Sequence, residues 1–357
     1  MPVFDDTAFD NHEQVVFCED AKSGLRAIIA IHNTSRGPAL GGCRMWNYAD
    51  GAAALSDVLR LSRGMTYKSA LAGLPFGGGK AVILGDPNRD KSPEMFRALG
   101  RYVESLGGRY TVAEDVGINV EDIEQAATQT RHVAGVAAGG SGDPSPATAY
   151  GVFVGIRAAV KHRLGADRVS GDKLTGVSVA IQGAGHVGYE LARHLAGAGA
   201  DVQIADVDPG RVKRAQDELG VTPISVDRFL EADVDVLAPC ALGGLLNDDT
   251  IPRIRAPIVA GAANNQLAEA RHGQMLRDRG ILYAPDYLIN AGGIINISYE
   301  GPGYDRARAF SHVALIHDTL LSIFQRADAA GIPTSEAADQ LAEDRFTHPN
   351  PDPAKAA

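Results

Sequence analysis

Cysteine is scarce in this chain: Cys18, Cys43 and Cys240 are the only three in 357 residues, far apart and outside any C-x-x-C pair. An odd, scattered set argues against a disulfide framework or a zinc site and predicts small, reduced core residues. Long apolar runs are missing too; none approaches the length a bilayer span requires. The start, Met1-Pro2-Val3-Phe4-Asp5-Asp6, is acidic and lacks the basic and apolar segments of a signal peptide, so a cytoplasmic location is expected. Positive charge is in deficit, with 34 Lys and Arg against 44 Asp and Glu, a formal net charge of -10 and no basic cluster. That balance disfavours nucleic acid and anionic membranes as partners and leaves small molecules. The ten histidines form no H-E-x-x-H motif, and His312 and His317 stand off a common helix face, so no metal site is expected. No G-x-S-x-G elbow occurs, which removes the usual support for a serine hydrolase.

What is present is an ordinary globular composition, 45% hydrophobic and 22% charged. The length exceeds what one growing core accommodates, so two domains of about 150 to 200 residues, separated by a cleft, are expected. Leu25 to Ile31, Ala81 to Leu84 and Arg109 to Ala113 read as buried strands, and Asp57 to Arg63 and Pro93 to Leu106 as helices, with Ser92 and Pro93 marking a helix start. Small and breaking residues then concentrate in Gly135 to Pro146, the composition of a hinge. Beyond it, a helix over Tyr150 to His162 precedes alternating strands and crossover helices. The strands are Gly176 to Gln182, Asp201 to Ala205, Val234 to Ala238, Pro257 to Ala260 and Ile281 to Ala284, a doubly wound pattern. A long helix is expected over Asp305 to Ala330. The fold class is therefore α/β in two domains: an N-terminal α/β domain over 1–134, a hinge over 135–147, a C-terminal doubly wound Rossmann domain over 148–330, and a final helix with a frayed, proline-rich tail over 331–357.

Two candidate sites stand out. In the first half, Lys68 and Lys80 bracket the run Gly77-Gly78-Gly79, read as a glycine-rich turn, and the carboxylate of Asp115 follows in Ala113-Glu114-Asp115-Val116-Gly117. Two ammonium groups held close together repel, so one tends to shed its proton and serve as base or polarising group while the other holds an anion. Spacing alone is equally compatible with common lysines around a turn and a capping Asp. The Gly79-Lys80 pair does not belong to a phosphate loop, because Leu74 and Ala81 stand where that motif needs Gly and Ser or Thr. In the second half, Gly183-Ala184-Gly185-His186-Val187-Gly188 lies between a strand and a helix, the context that a dinucleotide fingerprint needs. Gly183 permits the tight turn, Gly185 admits a pyrophosphate, and Gly188 lets helix and strand pack closely. Asp206, 23 residues past Gly183, is placed to accept from the ribose hydroxyls and repel a 2'-phosphate, which favours NAD as cofactor. Arg211 nearby offers a cation to that same phosphate. Asn264 and Asn265, and later Asn290-Ala291-Gly292-Gly293, fall at strand ends where ligands bind in such sheets, although turns use the same residues.

With Gly37-Pro38-Ala39-Leu40-Gly41-Gly42, the two lysine motifs, Ala113-Glu114-Asp115-Val116-Gly117, Ala238-Pro239-Cys240-Ala241 and Tyr283-Ala284-Pro285-Asp286 in order, the chain resembles the amino acid dehydrogenases acting on glutamate, leucine, phenylalanine and valine. The likeness runs from about Glu13 to Arg345 and is strongest to the leucine and valine branch. It implies reversible oxidative deamination, in which an L-amino acid, NAD and water give a 2-oxo acid, ammonia and NADH. It also implies a first domain for substrate binding and oligomerisation and a homo-oligomer, an octamer or dimer. By the same resemblance Lys68 anchors the substrate carboxylate with the backbone of Gly41 and Gly42, and Lys80 activates water and polarises the carbonyl. Asp115 shuttles protons, Asn264 lies near the amino group and the nicotinamide ribose, and Thr148, Ala238, Cys240 and Asn290 border the cofactor. Met65, Leu40, Ala113, Ile294 and Ile297 line the substrate pocket. Relatives acting on glutamate carry a lysine near the position of Leu40, so glutamate is disfavoured. Ile294 and Ile297 are commonly valine, one methylene smaller, which favours valine- or isoleucine-sized substrates over phenylalanine. The alternatives are a phenylalanine-selective member of the same family, an NAD-binding regulatory protein without turnover, and a hydroxy-acid dehydrogenase on a related architecture.

Overall fold

The computed structural model describes residues 3–136, 142–301 and 303–348. The middle of the expected hinge and the expected frayed tail beyond 348 lie outside the described residues. The chain divides into two units, one drawn from residues up to Gly142 with Ile297–Tyr304 and the segment from Ala342 on, the other from Asp143–Asn296 and Asp305–Leu341. The sequence-based boundaries at 134, 148 and 330 treat each half as uninterrupted, whereas the chain re-enters the first unit twice. One re-entry is anchored by Glu300, whose carboxylate accepts from the Gly135 N–H at 2.9 Å.

The first unit is built on a five-stranded mixed sheet of β1 (Gln14–Asp20), β2 (Leu25–Asn33), β3 (Ala39–Trp46), β4 (Gly77–Leu84) and β5 (Tyr110–Glu114), in the order β1-β2-β4-β3-β5. β2 and β4 are buried along almost their whole length, as strands covered on both faces must be. Helix α1 (Gly51–Leu71) covers one face, packing Ala54, Leu55, Val58 and Leu59 against Ile28, Ala30 and Val82. Helices α2 (Pro93–Ser105) and α3 (Val120–Ala127) cover the other, against Ile29, Ile31, Cys43, Ala81 and Ile83. The expected start of α2 holds: Ser92 accepts from the Met95 N–H at 3.2 Å and Pro93 opens the helix.

The glycine run is the principal correction. Gly77, Gly78 and Gly79 are not a turn but the first residues of the buried strand β4. A methyl group on Gly78 would stand 2.0 Å from the Thr66 backbone nitrogen, and one on Gly79 2.8 Å from the Tyr110 ring. The absent side chains let α1 and β5 approach this strand, a packing demand that reads in sequence as a turn signal.

The second unit carries a six-stranded parallel sheet of β6 (Ser178–Gln182), β7 (Asp201–Ala205), β8 (Thr222–Pro223), β9 (Val236–Pro239), β10 (Ile258–Val259) and β11 (Leu282–Tyr283), ordered β11-β10-β9-β6-β7-β8. Counted from its own first strand this is 3-2-1-4-5-6, the doubly wound Rossmann order, with the reversal between β6 and β9. Helices α4 (Ser145–Leu164), α5 (His186–Gly197), α6 (Pro209–Leu219), α7 (Arg271–Asp278), α8 (Asp286–Ile289) and α9 (Gly292–Ile297) follow in chain order. α4 begins at Ser145, so Ser145 to Ala147 are helix and not hinge, with Pro146 in the first turn. The single helix expected over Asp305 to Ala330 is two, α10 (Arg306–Ala314) and α11 (Ile316–Ala330). They part at Leu315, whose N–H closes a tight turn onto the His312 carbonyl at 3.0 Å. α12 (Thr334–Thr347) completes the fold.

Candidate active site

In the first unit the candidate residues gather on the sheet face that α1 covers. Lys80 pairs with Ala30 and precedes Val82 by two residues, both of which pack under α1, so strand alternation points Lys80 the same way. Leu40 lies opposite Gly78 and Thr111, and Gly42 lies opposite Ala113. Met65 and Lys68 sit in the last two turns of α1, both partly buried.

Lys80 is only 6% exposed, and its Nζ stands 2.9 Å from Oδ2 of Asp115, just past the end of β5. The ion partner of Lys80 is thus a carboxylate. The same oxygen accepts from Arg44 Nε at 3.2 Å. Arg44 reaches on through Nη1 to Asp57 of α1 at 3.1 Å, and Asp57 also accepts from the Tyr48 hydroxyl and from Arg60, each at 2.7 Å. Burial works against ionisation of Asp115, but Lys80 and then Arg44 outweigh it, and the carboxyl is held below its ordinary pKa. Asp115 therefore stays an anion through the neutral range.

Two glycines make this geometry possible. A methyl group on Gly42 would lie 2.4 Å from the Glu114 carbonyl oxygen and 2.8 Å from Asp115 Cβ, and one on Gly41 would lie 1.8 Å from the Gly79 carbonyl oxygen and 3.3 Å from Met65 Cγ. The Tyr110 hydroxyl, fully buried, donates to the Gly41 carbonyl at 2.7 Å. Sequence reasoning missed Arg44, Asp57 and Tyr48. Arg44 and Asp115 lie 71 residues apart, and nothing in their spacing marks the pair.

In the second unit the fingerprint residues form the β6–α5 turn. Gly183 takes φ +100 and donates its N–H to the Ala205 carbonyl at 2.7 Å. A methyl group on Gly188 would lie 1.9 Å from the Gly183 carbonyl oxygen, the close strand–helix approach that the motif predicts. Gly185 occupies the N-cap of α5 with no side-chain capping bond, and the space beside it is open except for Arg211 Nη1 at 3.9 Å. A twelve-residue helix whose N-cap carries no side-chain capping bond suits a diphosphate at its start. Asp206, at the end of β7, accepts from the Ala184 N–H at 2.6 Å and the Asp208 N–H at 2.8 Å, which fixes its carboxylate beside that turn. His186 is 86% exposed and lies 3.8 Å from Asp143; Val187 is partly buried.

The remaining candidates divide. Ala238 is fully buried within β9 beside Ile181. Cys240 is partly buried, donates its N–H to the Gln182 carbonyl at 2.7 Å, and has its thiol pushed up to about 12 by burial. Asn290 Nδ2 donates to Asn264 Oδ1 at 2.7 Å and to the Ala262 carbonyl at 3.0 Å, joining two residues from different strand ends. The loop bearing Asn264 is tight: Asn265 adopts φ +52, and the buried Asp286 carboxylate accepts from the Gln266 N–H at 2.9 Å. That bond gives the Tyr283-Ala284-Pro285-Asp286 motif a task that sequence could not show. Thr148 lies on α4, its hydroxyl donating to the Pro144 carbonyl at 3.1 Å, and a methyl on Gly293 would meet its Oγ1 at 2.9 Å. Ile294 and Ile297 are partly buried on α9, the last turn of which passes from the second unit to the first.

Comparison with known proteins bears on both units. The model for the Glu/Leu/Phe/Val dehydrogenase dimerisation domain matches residues 12–132, and that for glutamate/leucine/phenylalanine/valine dehydrogenase matches 139–210 and 203–303. Leucine dehydrogenase of Thermoactinomyces intermedius is 52% identical over 97% of this chain and 94% of its own length. Phenylalanine dehydrogenase of Caldalkalibacillus thermarum is 48% identical over 94% of this chain and 91% of its own. The crystal structure of L-tryptophan dehydrogenase from Nostoc punctiforme superposes with a TM-score of 0.85 at 47% identity, over 95% of this chain and 96% of that one.

Proposed function

We propose, from the premise that this chain belongs to the glutamate/leucine/phenylalanine/valine dehydrogenase family and is an NAD(P)-dependent amino acid dehydrogenase with a Rossmann domain, that it catalyses reversible NAD-dependent oxidative deamination of a branched-chain aliphatic L-amino acid. The observation that carries the reading is the Lys80–Asp115 pair at 2.9 Å, buried on the sheet face under α1. A buried ion pair is costly to form and weak evidence for stability, so a catalytic use is the better account of it.

Lys68 holds the substrate carboxylate, beside the backbone of Gly41 and Gly42. Asp115, an anion at neutral pH, takes a proton from the substrate ammonium. The chemistry supplied by the bound cofactor is acceptance of the α-hydrogen as hydride. Lys80 then directs water to the iminium carbon so formed and polarises the developing carbonyl, while Asp115 returns a proton to the departing amine. The products are the 2-oxo acid and ammonia. Gly183 to Gly188 would hold the diphosphate of the cofactor and Asp206 its adenosine ribose; Thr148, Cys240 and the Asn264–Asn290 pair would border its nicotinamide side. Arg211 is engaged with Asp208 at 3.5 Å, so Asp206 governs the choice and NAD is preferred over NADP. The first unit, which matches the dimerisation domain of the family, assembles a homo-oligomer, a dimer or octamer.

The similar proteins are named for leucine, phenylalanine and tryptophan, so their names do not choose the substrate. The buried apolar side chains of Leu40, 3% exposed, and Ala113, 8% exposed, offer no partner to a second carboxylate. Ile294 and Ile297 are each one methylene larger than valine, and a methylene is worth about 1 to 3 kcal/mol of discrimination. Absorbance of NADH, followed with NAD and valine, leucine, isoleucine, phenylalanine or tryptophan, is expected to favour the aliphatic substrates; a preference for an aromatic one overturns the substrate reading. Lys80→Ala should lower kcat roughly 10²- to 10⁴-fold with NADH binding, read by fluorescence, unchanged. Turnover that survives the substitution overturns the role given to Lys80.

A further inference from the structure

Oδ2 of Asp115 accepts from two cations, Lys80 at 2.9 Å and Arg44 at 3.2 Å. The two are not equivalent. Lys80 is assigned the directing of water and the polarising of the carbonyl, so its own bond to Asp115 changes during turnover. A guanidinium stays charged throughout, and its planar fork spans two acceptors at once. The fork of Arg44 does so here, with Nε on Asp115 and Nη1 on Asp57, and Asp57 is fixed in turn by Tyr48 and Arg60. The anchor thus runs from β3 to α1, the helix that bears Lys68. Lys80 from β4, Arg44 from β3 and the Val116 N–H of its own segment bond Asp115; Cys43 and Tyr110, packed on the opposite face of the sheet, feel its charge at longer range, and Asp57 acts from α1 through Arg44.

We infer that Arg44 is a positioning residue for the reaction, holding Oδ2 of Asp115 and leaving Oδ1, outside both ion pairs, to exchange protons with the substrate nitrogen. The inference rests on the reading of Asp115 as general acid and base. Arg44 also keeps that carboxylate ionised when the Lys80 contact is disturbed, which Lys80 cannot do for itself.

Purified Arg44→Met and Arg44→Lys are compared with the wild type and with Arg60→Met, which removes another partner of Asp57 without touching Asp115. In deamination, Arg44→Met should lower kcat roughly ten- to hundredfold, the scale set by a misplaced catalytic group, with KM for the amino acid changed less than about threefold. Its kcat/KM should turn down at a pH about one unit above that of the wild type, because a cation near the carboxylate has gone. Arg44→Lys should recover part of both effects, and it carries the test alone if Arg44→Met does not fold. A kcat within twofold of wild type, an unmoved downturn, or an equal shift in Arg60→Met overturns the inference. Asp115→Asn separates the two levels: if that variant keeps turnover, the general-base reading falls with it, whereas an inactive Asp115→Asn beside an unaffected Arg44→Met removes only the role of Arg44.

Discussion

At the scale of single residues, this candidate site depends on what is left out as much as on what is charged. Lys80 and Asp115 meet because Gly42 has no side chain: its missing methyl would fall 2.8 Å from Asp115 Cβ and 2.4 Å from the Glu114 carbonyl oxygen. Gly42→Ala must therefore push the end of β5 away or bend β3. The expected outcome is a folded but weakened enzyme, destabilised by about 1 to 3 kcal/mol as in other overpacked sites, with kcat reduced roughly a hundredfold through displacement of Asp115. Urea melts and steady-state kinetics on the same preparation check it; full activity would show that the strand yields elsewhere. Lys68, Lys80 and Asp115 were visible in the sequence as chemistry in search of a geometry. Arg44 was not, because its meaning comes from a partner on a different strand.

Among elements, β4 and α1 bear the most on the site. β4 is central in its sheet and carries Lys80 on the side facing α1. Its three leading glycines disguise it, since strand residues are recognised by the side chains they pack and these pack by lacking them. α1 was anticipated only over Asp57 to Arg63, yet it runs from Gly51 to Leu71 and carries Met65 and Lys68 in its last turns. The end of that helix is held from far along the chain: Arg345 Nη1 donates to the carbonyls of Ala70 at 3.1 Å and Leu71 at 2.6 Å. A cation on the orphan carbonyls of a helix C-terminus satisfies them and complements the helix dipole. Arg345→Ala should cost about 1 to 3 kcal/mol, the usual range for bonds to a charged group, and raise KM for the amino acid by loosening the turn that bears Lys68. An unchanged urea midpoint together with an unchanged KM would contradict this. The β6–α5 element, by contrast, was legible in advance, because strand, glycine turn and helix are contiguous and each glycine has a local reason.

For the molecule as a whole, one buried cluster sets a pH limit. His32 donates or accepts at Thr66 Oγ1 at 2.8 Å, His12 Nε2 meets the Leu59 carbonyl and Ser62 Oγ at 3.0 Å, and the two rings stand edge to face at 4.9 Å. Burial first, and then the neighbouring His12, lower the pKa of His32 from 6.5 to about 4, outweighing the Asp10 carboxylate 3.8 Å away. The folded form keeps this imidazole neutral while the unfolded chain takes up a proton below pH 6.5. Its contribution is complete above that value and is lost as pH falls toward 4, by about 3 kcal/mol for a shift of this size. His32→Phe should therefore show a smaller drop in unfolding free energy between pH 7 and pH 5 than the wild type. Parallel curves for the two proteins would place the acid sensitivity elsewhere.

The sequence by itself determined the class of the second unit, the dinucleotide turn and the family, because each rests on contiguous residues or on ordered motifs read in series. It also supplied the reactive side chains of the first unit. Tertiary structure alone decided how those side chains combine. Strand β3 lies between β4 and β5, so the pairing of Lys80 with Asp115, the Arg44 bridge to Asp57 and the capping of α1 by Arg345 all depend on strand order and on chain segments that return from far away. Local propensity carries no record of such contacts. They are fixed only when burial closes the sheet against its helices, and glycines without side chains permit the approach.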